Sequence, residues 1–222
     1  MIYLAAVLLF SYLIGSIPFA IIISKMVKGI DIKQHGSGNA GGTNVFRVLG
    51  WKWGILTIIL DALKGVIAVV FISQLYLLDP VAINNPTSLE DMTIIRILAG
   101  VFAVIGHVWS IFASFKGGKG IATALGMMLS ITTVDMLIAI GVFIIVVSVS
   151  KYVSLGSILA AFAVALTLFI RQNVFHAEIQ GYGTILPFVL AIIALIVYTH
   201  RENIKRILSG SESKISFKKK NK

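Results

Sequence analysis

The sequence contains no cysteine and few charged residues. The absence of cysteine from all 222 residues excludes disulfides, thiolate metal sites and a cysteine nucleophile. Charged residues make up 13% of the chain, about half of the share found in soluble domains. Hydrophobic residues make up 58%, and the mean hydropathy is +0.97. This composition excludes a soluble globular domain and indicates an integral membrane protein.

Apolar segments recur along the whole chain, and each approaches the roughly 20 residues that a helix needs to cross about 30 Å of hydrocarbon. They are predicted to be helices, because lipid offers no partner to backbone N–H and C=O groups. The first segment has no basic region before it and no cleavage pattern after it, which favours a retained helix, kinked at Pro18, over a signal peptide. The segments cover residues 3–24, 51–78, 93–115, 121–150, 153–170 and 184–199.

Basic residues set the predicted orientation. They cluster on both sides of residues 36–44, and 8 of the 19 lie after residue 200, so the positive-inside rule places both regions in the cytoplasm. An even number of crossings must separate the two regions, which requires residues 121–150 to be two helices that fold back at Asp135. We therefore predict an all-α, polytopic integral membrane protein with seven transmembrane helices, its N-terminus outside and its C-terminus in the cytoplasm.

The domain organisation is predicted to be simple. Residues 1–212 form a single transmembrane domain, residues 213–222 form a basic cytoplasmic tail, and residues 79–92, which include no basic residue, form an external loop. The net charge of +10 is concentrated in the loops and the tail, whereas the aromatic residues lie in apolar segments. This distribution indicates contact with anionic membrane lipids and no binding of nucleic acid.

The first glycine loop, Gly36–Asn44, is the most informative stretch of the chain. Four glycines lie within seven residues, at positions 36, 38, 41 and 42, with small hydrogen-bonding residues between them. Such a loop can adopt φ > 0 and exposes its N–H groups, and a run of amides that leads into a helix binds anions. Arg47 adds a planar fork that grips phosphate at two points. A flexible connection between helices is the alternative interpretation.

Two further polar segments fall on the same predicted membrane face. One is the second glycine loop, Lys116–Gly120, which follows His107, and the other is the C-terminal segment, His200–Arg206. Together with the first loop they supply amides, lysines, arginines and histidines and almost no carboxylate, which suits the binding of more than one phosphate group. Three loops that meet at one surface predict a shared site.

Several of these signals also have plainer interpretations. The second glycine loop is followed by Ile121, where a Walker A motif needs Ser or Thr, so nucleotide hydrolysis is disfavoured and a basic surface turn is the alternative. His107 at a helix end fits capping as well as ligand binding. The basic residues of the C-terminal segment alone fit the positive-inside rule, but His200 and Asn203 are three positions apart and share one helical face.

Two residue pairs in the first half remain open on sequence grounds. Asp61 and Lys64 lie three positions apart in an apolar segment, which predicts a pair that neutralises itself inside the helix bundle, with a contribution to the wall of the site as the alternative. Asn39 and Asn44 fit turn residues and polar ligands equally well.

Two other protein classes also fit part of the pattern. A transporter of a phosphorylated metabolite would gather basic loops as well, but it should place ionisable groups near the bilayer midplane, whereas these cluster at one end of the helices. A lipid-binding scaffold would need the lysine tail but not the glycine loops.

The three polar segments together resemble the signature stretches of the bacterial acyl-phosphate:glycerol-3-phosphate acyltransferase family, in the same order and over nearly the whole chain. Trp109 and Ser110 depart from that pattern, since phenylalanine and proline are expected there more often. The matching residues are Ser37, Gly38, Asn39, Gly41, Thr43, Asn44 and Arg47 in the first motif, Gly106, His107 and 115–120 in the second, and His200, Arg201 and Asn203 in the third.

The resemblance implies a membrane enzyme that moves a fatty acyl group from acyl phosphate to the 1-hydroxyl of glycerol 3-phosphate. The products are 1-acylglycerol 3-phosphate (lysophosphatidic acid) and inorganic phosphate, in the first acylation of phospholipid synthesis. Neither acyl-CoA nor acyl carrier protein is used directly, and no cofactor or metal is expected. We expect a monomer in the bacterial inner (plasma) membrane, with its active site on the cytoplasmic side.

The residue types suggest a role for each group of such a site. Arg47 and Lys119 are expected to neutralise charge, and Ser37 with the amides of the first loop to hold the phosphate of glycerol 3-phosphate. The amides of the Gly117-Gly118 turn, with Lys119, are expected to hold the acyl phosphate. The predicted catalytic residues are Ser37, Arg47, Lys119, His200 and Asn203, and the predicted substrate-binding residues are Gly38, Asn39, Gly41, Gly42, Thr43, Asn44, His107, Lys116, Gly117, Gly118, Gly120 and Arg201.

The identity of the base stays open at this point. His107, His200 and a phosphate oxygen of the substrate are all candidates, and His200 with Asn203 is also suited to orienting the glycerol hydroxyls. Ser37 as a covalent nucleophile is disfavoured, because no acid partner completes a triad. The sequence therefore predicts direct, substrate-assisted attack on the acyl phosphate without an acyl-enzyme.

Overall fold

The computed structural model describes residues 2–79, 88–212 and 214, without the side chains of residues 88–91. Throughout these residues the regular secondary structure is helical and no strand occurs, which confirms the predicted all-α class. Most of the predicted external loop 79–92 and of the predicted tail 213–222 lies outside the described residues. The chain divides into two compact units, Met1–Ile131 and Thr132–Lys222.

The first unit holds both glycine loops. Its helix α4 packs against α3, α5 and α6, and α1 packs against α5. Short 3₁₀ turns at Ile32–Gln34, Ile72–Leu78 and Ile111–Ala113 follow α2, α4 and α5. The helices are α1 (Ile2–Gly15), α2 (Phe19–Lys28), α3 (Gly42–Leu49), α4 (Trp51–Val70), α5 (Ser88–Val108) and α6 (Ile121–Ile131).

The second unit carries the C-terminal segment. Its helices are α7 (Thr133–Ser150), α8 (Val153–Asn173), α9 (Tyr182–Thr199) and α10 (Arg201–Leu208), and α8 packs against the other three. Asp135, which is fully buried near the start of α7, forms an ion pair with Arg171 near the end of α8 at 2.7 Å. This pair joins the two helices at the end opposite to their connecting turn at Lys151.

Six helical segments of the described chain are long and apolar enough to cross a membrane. The stretch that was predicted to fold back at Asp135 is broken at Thr132, into α6 of 11 residues and α7 of 18 residues. A helix as short as α6 rises only about 16 Å, so the predicted seventh crossing stays a prediction. The six segments are Ile2–Lys28, Trp51–Leu78, Met92–Ala113, Thr133–Ser150, Val153–Asn173 and Tyr182–Thr199.

The first membrane segment is broken where the sequence predicts a kink. Helix α1 ends at Gly15 and α2 begins at Phe19, because Pro18 lacks an N–H and disfavours helical geometry in the residue before it. The carbonyl of Gly15 loses its helical partner at this break. The ammonium of Lys64 donates hydrogen bonds to the carbonyls of Gly15 and Ile17, at 3.0 and 2.9 Å, and so satisfies the backbone where lipid offers no partner.

Glycines let the helices around the glycine loops approach each other closely. Gly106 of α5 lies against the backbone of Tyr12 in α1, and Gly126 of α6 lies against the backbone of Ala62 in α4; a Cβ at either position would overlap those atoms. Small residues serve this purpose in many membrane helix interfaces. These two contacts fix the end of α5 and the beginning of α6, which carry the second glycine loop between them.

Candidate active site

Asn44 holds the first glycine loop in shape. Its side chain is buried, and its amide nitrogen donates to the carbonyls of Ile32, His35 and Asn39 at 3.1, 2.9 and 3.1 Å. Its Oδ1 accepts a hydrogen bond from the N–H of Ser37 at 2.9 Å. All of these contacts lie within the loop and the turn before it, which supports the interpretation of Asn44 as a turn residue.

The polar groups predicted to bind phosphate are not part of the hydrogen bonds that Asn44 forms. Gly36 and Gly38 adopt φ values of 61° and 72°, the left-handed conformation for which glycine is suited. Ser37 lies exposed between them, and Arg47 lies exposed on α3. Among the described residues, none accepts a hydrogen bond from the guanidinium of Arg47. The first loop therefore presents a hydroxyl and an unpaired cation.

Helix α3 begins directly at the end of this loop. Gly41 is its extended N-terminal cap, with φ −144° and ψ 162°, and the helix starts at Gly42. The first N–H groups of a helix have no partner within it, and the helix start carries a partial positive charge. The N–H groups of Gly42 and Thr43 therefore form the kind of surface that binds an anion.

The second glycine loop is tied to the end of α5. The N–H of Gly117 donates to the carbonyl of Val108 at 3.0 Å, and the N–H of Gly118 donates to the carbonyl of His107 at 3.1 Å. These two amides are used inside the protein, so they are not the donors to acyl phosphate that the sequence analysis expects. A Cβ at Gly118 would overlap Nε2 of His107 and crowd the carbonyl of Ala40, so glycine serves close packing at this position.

A second helix start follows that loop and lies beside the first. Helix α6 begins at Ile121, and its first residues line the same cleft of about 200 Å³ as the first residues of α3. Lys119 is exposed at the cleft, and within residues 2–79, 88–212 and 214 no acceptor holds its ammonium. The polar lining is Asn39, Thr43, Asp61, His107 and Lys119, with Gly41, Gly42 and Gly120, and the apolar lining is Ile58, Ile121, Ala122 and Leu125.

A buried triad, Asp61, Lys64 and His107, lies at the wall of this cleft. The predicted pair forms, with Nζ of Lys64 2.9 Å from Oδ1 of Asp61, and the two side chains are 1% and 3% exposed. His107 joins them through Nδ1, which is 2.9 Å from Nζ of Lys64 and 3.5 Å from Oδ1 of Asp61. Helical spacing predicts the first contact, but no sequence signal links residues of α4 to His107 on α5.

The two residues that depart from the family pattern stabilise the turn after α5. The hydroxyl of Ser110, which is buried, donates to the carbonyl of Ser16 at 2.5 Å. The hydroxyl of Tyr12 donates to the carbonyl of Trp109 at 2.8 Å. These bonds hold the turn against the break between α1 and α2, where a proline would stiffen the turn without forming a bond.

In the second unit, His200 lies between α9 and α10. Its Nδ1 is 2.9 Å from the carbonyl of Ile196, and since a carbonyl only accepts, Nδ1 carries a proton and Nε2 carries the lone pair. Arg201 lies over the ring of Tyr198, 4.5 Å from its centroid, and donates to its carbonyl at 3.0 Å. His200 is therefore arranged as a hydrogen-bond acceptor at Nε2.

Glu212 organises the C-terminal segment, although the sequence analysis does not single it out. Its Oε1 accepts hydrogen bonds from Asn203 at 2.8 Å and from the hydroxyl of Ser154 at 2.7 Å. Its Oε2 accepts from Nε of Arg206 at 2.8 Å. These bonds lower the pKa of Glu212 to about 2, and the hydrogen bond from Asn203 has the largest effect. Its position as a carboxylate among basic residues is the sequence signal that would have identified it.

The structure thus gathers part of the predicted site in the first unit. Asn39, Thr43, His107 and Lys119 line one cleft with the predicted glycines 41, 42 and 120. Ser37, Gly38, Arg47 and Lys116 are exposed on the same loops and on α3. His200, Arg201 and Asn203 belong to the second unit, and the meeting of all three segments at one surface stays a prediction.

Comparisons with known proteins agree with the motifs. Residues 5–210 match the family model described as glycerol-3-phosphate acyltransferase. A curated protein of that name from Chlorobium phaeobacteroides is 48% identical, and the match covers 98% of both chains. One from Chlorobaculum tepidum is 45% identical, with 97% of this chain and 98% of the relative covered.

Solved structures agree as well. Crystal structures of PlsY (YgiH), an integral membrane glycerol 3-phosphate acyltransferase, in a glycerol 3-phosphate form and a lysophosphatidic acid form, are each 35% identical to this chain. Both match with a TM-score of 0.69 and cover 96% of this chain; the match spans 96% of the first PlsY chain and 95% of the second. Because the family model matches residues 5–210 of the chain, the chain belongs to the glycerol-3-phosphate acyltransferase family of integral membrane proteins.

Proposed function

We propose that the protein transfers a fatty acyl group from acyl phosphate to the 1-hydroxyl of glycerol 3-phosphate. The hydroxyl oxygen bonds to the acyl carbon, the bond from that carbon to the bridging phosphate oxygen breaks, and the hydroxyl proton goes to phosphate. The products are lysophosphatidic acid and inorganic phosphate. Membership of the family supports the acceptor, and so do the glycerol 3-phosphate and lysophosphatidic acid forms of PlsY.

One observation carries the proposal for this chain: two helix N-termini and an unpaired lysine line a single cleft. The starts of α3 and α6 offer N–H groups that have no partner within their helices, and Lys119 adds a full positive charge. A reaction between a phosphate monoester and an acyl phosphate requires two anions to lie side by side. The cleft supplies one helix start for each of them.

The proposed roles follow the motif to which each helix start belongs. The start of α3, with Ser37 and Arg47 of the same motif, holds the phosphate of glycerol 3-phosphate. The start of α6, with Lys119, holds the acyl phosphate in place of the amides of the Gly117-Gly118 turn. Lys119 also neutralises the charge that develops on the departing phosphate, so catalysis consists mainly of positioning and charge stabilisation.

The proton is taken by a substrate phosphate oxygen in this proposal. His107 is poorly suited to be the base, because its Nδ1 lies 2.9 Å from the buried amino group of Lys64 and is engaged there. Acyl phosphate is activated and releases a good leaving group, so a weak base suffices. His200, through the lone pair on Nε2, and Asn203 orient the glycerol hydroxyls, and Ser37 forms no acyl-enzyme.

The topology is part of the proposal. Seven crossings, with α6 as a short one, place the N-terminus outside and both glycine loops and the C-terminus in the cytoplasm, in a monomer whose residues 1–212 form one domain in the bacterial plasma membrane. Since the chain has no cysteine, single-cysteine variants report each loop separately. Asn84→Cys should react with an impermeant maleimide in intact cells, and Ser211→Cys only after permeabilisation. The reverse pattern would contradict the orientation.

The function is tested with purified protein in detergent. We expect phosphate release that requires both acyl phosphate and glycerol 3-phosphate, with one lysophosphatidic acid formed per phosphate, and no thiol release from acyl-CoA. Release without glycerol 3-phosphate would indicate a hydrolase, and use of acyl-CoA would contradict the proposed donor. A transporter would form no product in detergent at all.

A further inference from the structure

The buried triad of Asp61, Lys64 and His107 has a defined arrangement of hydrogen bonds. The ammonium of Lys64 has three N–H bonds, and they go to the carbonyls of Gly15 and Ile17 and to Nδ1 of His107, at 3.0, 2.9 and 2.9 Å. Asp61 lies 2.9 Å from the same nitrogen, and among the described residues its Oδ1 forms no hydrogen bond of ordinary geometry. Asp61 therefore acts mainly as the counter-charge of Lys64.

This arrangement fixes the tautomer of His107. An ammonium donates and never accepts, so Nδ1 of His107 must carry its lone pair toward Lys64. The proton of the neutral ring is then on Nε2. The charged groups around the ring are Asp61 and Lys64, and Lys119 lines the same cleft.

The Nε2 atom lies where the two glycine loops meet. A Cβ at Gly118 of the second loop would overlap it and would also crowd the carbonyl of Ala40 in the first loop. His107 is 7% exposed and lines the cleft with both helix starts. In the part of the chain that the structure describes, Nε2 forms no hydrogen bond. A donor without a partner is therefore held at the wall of the proposed site.

We propose that Asp61 and Lys64 lock His107 in the Nε2–H tautomer, and that Nε2–H donates a hydrogen bond to an anionic oxygen of the substrates bound in the cleft. This inference rests on the proposed function and deepens it. His107 acts as an electrophilic donor and not as a base, while Asp61 and Lys64 are positioning residues that act through His107. Lys64 also donates to the carbonyls of Gly15 and Ile17 at the break in the first membrane segment. The break between α1 and α2 and the chemistry of the site therefore depend on the same side chain.

The tautomer is tested directly by ¹⁵N NMR of the histidine rings. The chain has 4 histidines, and His107→Asn identifies the resonances of His107 in protein labelled with ¹⁵N-histidine in detergent. We expect Nε2 to be protonated and Nδ1 unprotonated. A proton on Nδ1, or an imidazolium, would overturn the proposal. This measurement needs no activity, so it stands or falls independently of the proposed reaction.

A matched pair of substitutions tests the donor. His107→Asn keeps an acceptor near Nδ1 for Lys64 and removes the donor at the Nε2 position, so we expect kcat to fall about 100-fold, as for loss of one oxyanion-site donor. His107→Gln places an amide N–H near Nε2 and should recover about tenfold of that loss. His176→Asn is the control, because His176 is exposed in the second unit at φ 52°, which asparagine adopts readily.

The outcomes separate the donor from its rivals. If His107→Asn retains full activity, the Nε2 donor has no part in the reaction. If activity lost in His107→Asn recovers as pH rises, the ring acts as a base. Either result would overturn the proposal, whereas a wild-type protein that forms no product while showing the Nε2–H tautomer would overturn only the function.

Discussion

The site histidines of the two units differ in the hydrogen bonds that their Nδ1 atoms form. His107 in the first unit is buried, and its Nδ1 accepts a hydrogen bond from Lys64, which leaves a donor at Nε2. His200 in the second unit is partly exposed, and its Nδ1 donates to the carbonyl of Ile196, which leaves an acceptor at Nε2. One ring is therefore prepared to stabilise negative charge, and the other to receive a hydroxyl proton in a hydrogen bond.

The surroundings of the two histidines differ in the same sense. The cleft of the first unit is built from helix starts and a buried charge cluster, whose atoms have little freedom to move. Helix α10 of the second unit has no buried residue; its Arg206 forms an ion pair with Glu212, and its Lys205 pairs with Glu202 of the same helix. We infer that the first unit binds the phosphate groups and stabilises charge, and that the second orients the glycerol hydroxyls. Substitutions should accordingly have their largest effects in the first unit.

The largest effect is expected for Lys64→Met. It leaves the carboxylate of Asp61 buried without a counter-charge and the carbonyl of Gly15 without a donor. Because removal of one partner from a buried ion pair is costly, we expect the free energy of unfolding to fall by about 3–5 kcal/mol. Thermal unfolding in detergent should show a strongly lowered midpoint. The double variant Asp61→Leu/Lys64→Met should regain part of the stability, and an equal loss in both would contradict the assignment of Asp61 as the counter-charge.

Lys119→Met should be the largest effect on catalysis that leaves the fold intact. The side chain is exposed at the cleft and has no partner among the described residues, so the unfolding midpoint should not change. We expect kcat/KM to fall about 100- to 1000-fold, as for loss of a charged group that stabilises a transition state. Lys25→Met, at an exposed lysine near the end of α2, is the control, and equal losses in the two variants would mean that only surface charge matters.

Arg47→Lys should weaken binding of glycerol 3-phosphate. Lysine keeps the charge but loses the planar fork, so we expect the KM for glycerol 3-phosphate to rise about 10- to 100-fold, which is the usual range for a hydrogen bond to a charged group. The KM for acyl phosphate should stay unchanged. A rise in the KM for acyl phosphate instead would assign Arg47 to the other substrate.

His200→Ala should have a smaller effect that does not depend on pH. Loss of one neutral hydrogen bond to a glycerol hydroxyl should raise the KM for glycerol 3-phosphate about tenfold. Steady-state kinetics from pH 6 to 9 provide the measurement. If the lost activity recovers as pH rises, His200 is the base, and the substrate-assisted mechanism is wrong.

The smallest effect at neutral pH is expected at Glu212. Its pKa is lowered from 4.5 to about 2 by hydrogen bonds from Asn203, Ser154 and Arg206, so its ionised form stabilises the folded segment above pH 4.5, and this contribution is lost as pH falls through about 2. A spin label on Ser211→Cys, the sole thiol, should gain mobility over that range. In the Glu212→Gln variant the mobility of the spin label should be independent of pH. An unchanged acid transition in that variant would mean that Glu212 is not the group that holds the segment.

The sequence predicted most of the features that depend on neighbouring residues. The helical class, the break at Pro18, the glycine loops and the Asp61–Lys64 pair all follow from composition or from short spacings. The first loop illustrates the limit, because glycine chemistry predicts its left-handed turns, but spacing alone does not separate the turn role of Asn44 from a ligand role. That distinction needs the positions of the loop carbonyls.

The features that the sequence missed depend on contacts between distant segments. The amides of Gly117 and Gly118 donate to carbonyls at the end of α5, and the start of α6 lies at the cleft; both observations depend on how α5 and α6 pack. The contact of Lys64 with His107 joins residues on different helices. Glu212 lies beside Ser154 only because α10 folds onto α8. Neither hydrophobic pattern nor motif spacing contains this information.

A rapid-quench single-turnover experiment tests the central claim, direct transfer within the cleft, most directly. The protein is first mixed with acyl phosphate alone and then with glycerol 3-phosphate, while phosphate, lysophosphatidic acid and the intact mass of the protein are followed. Direct transfer predicts no phosphate before glycerol 3-phosphate is added, and afterwards phosphate and lysophosphatidic acid that form with one rate constant. A burst of phosphate in the first step, with an acyl group on Ser37, would contradict it.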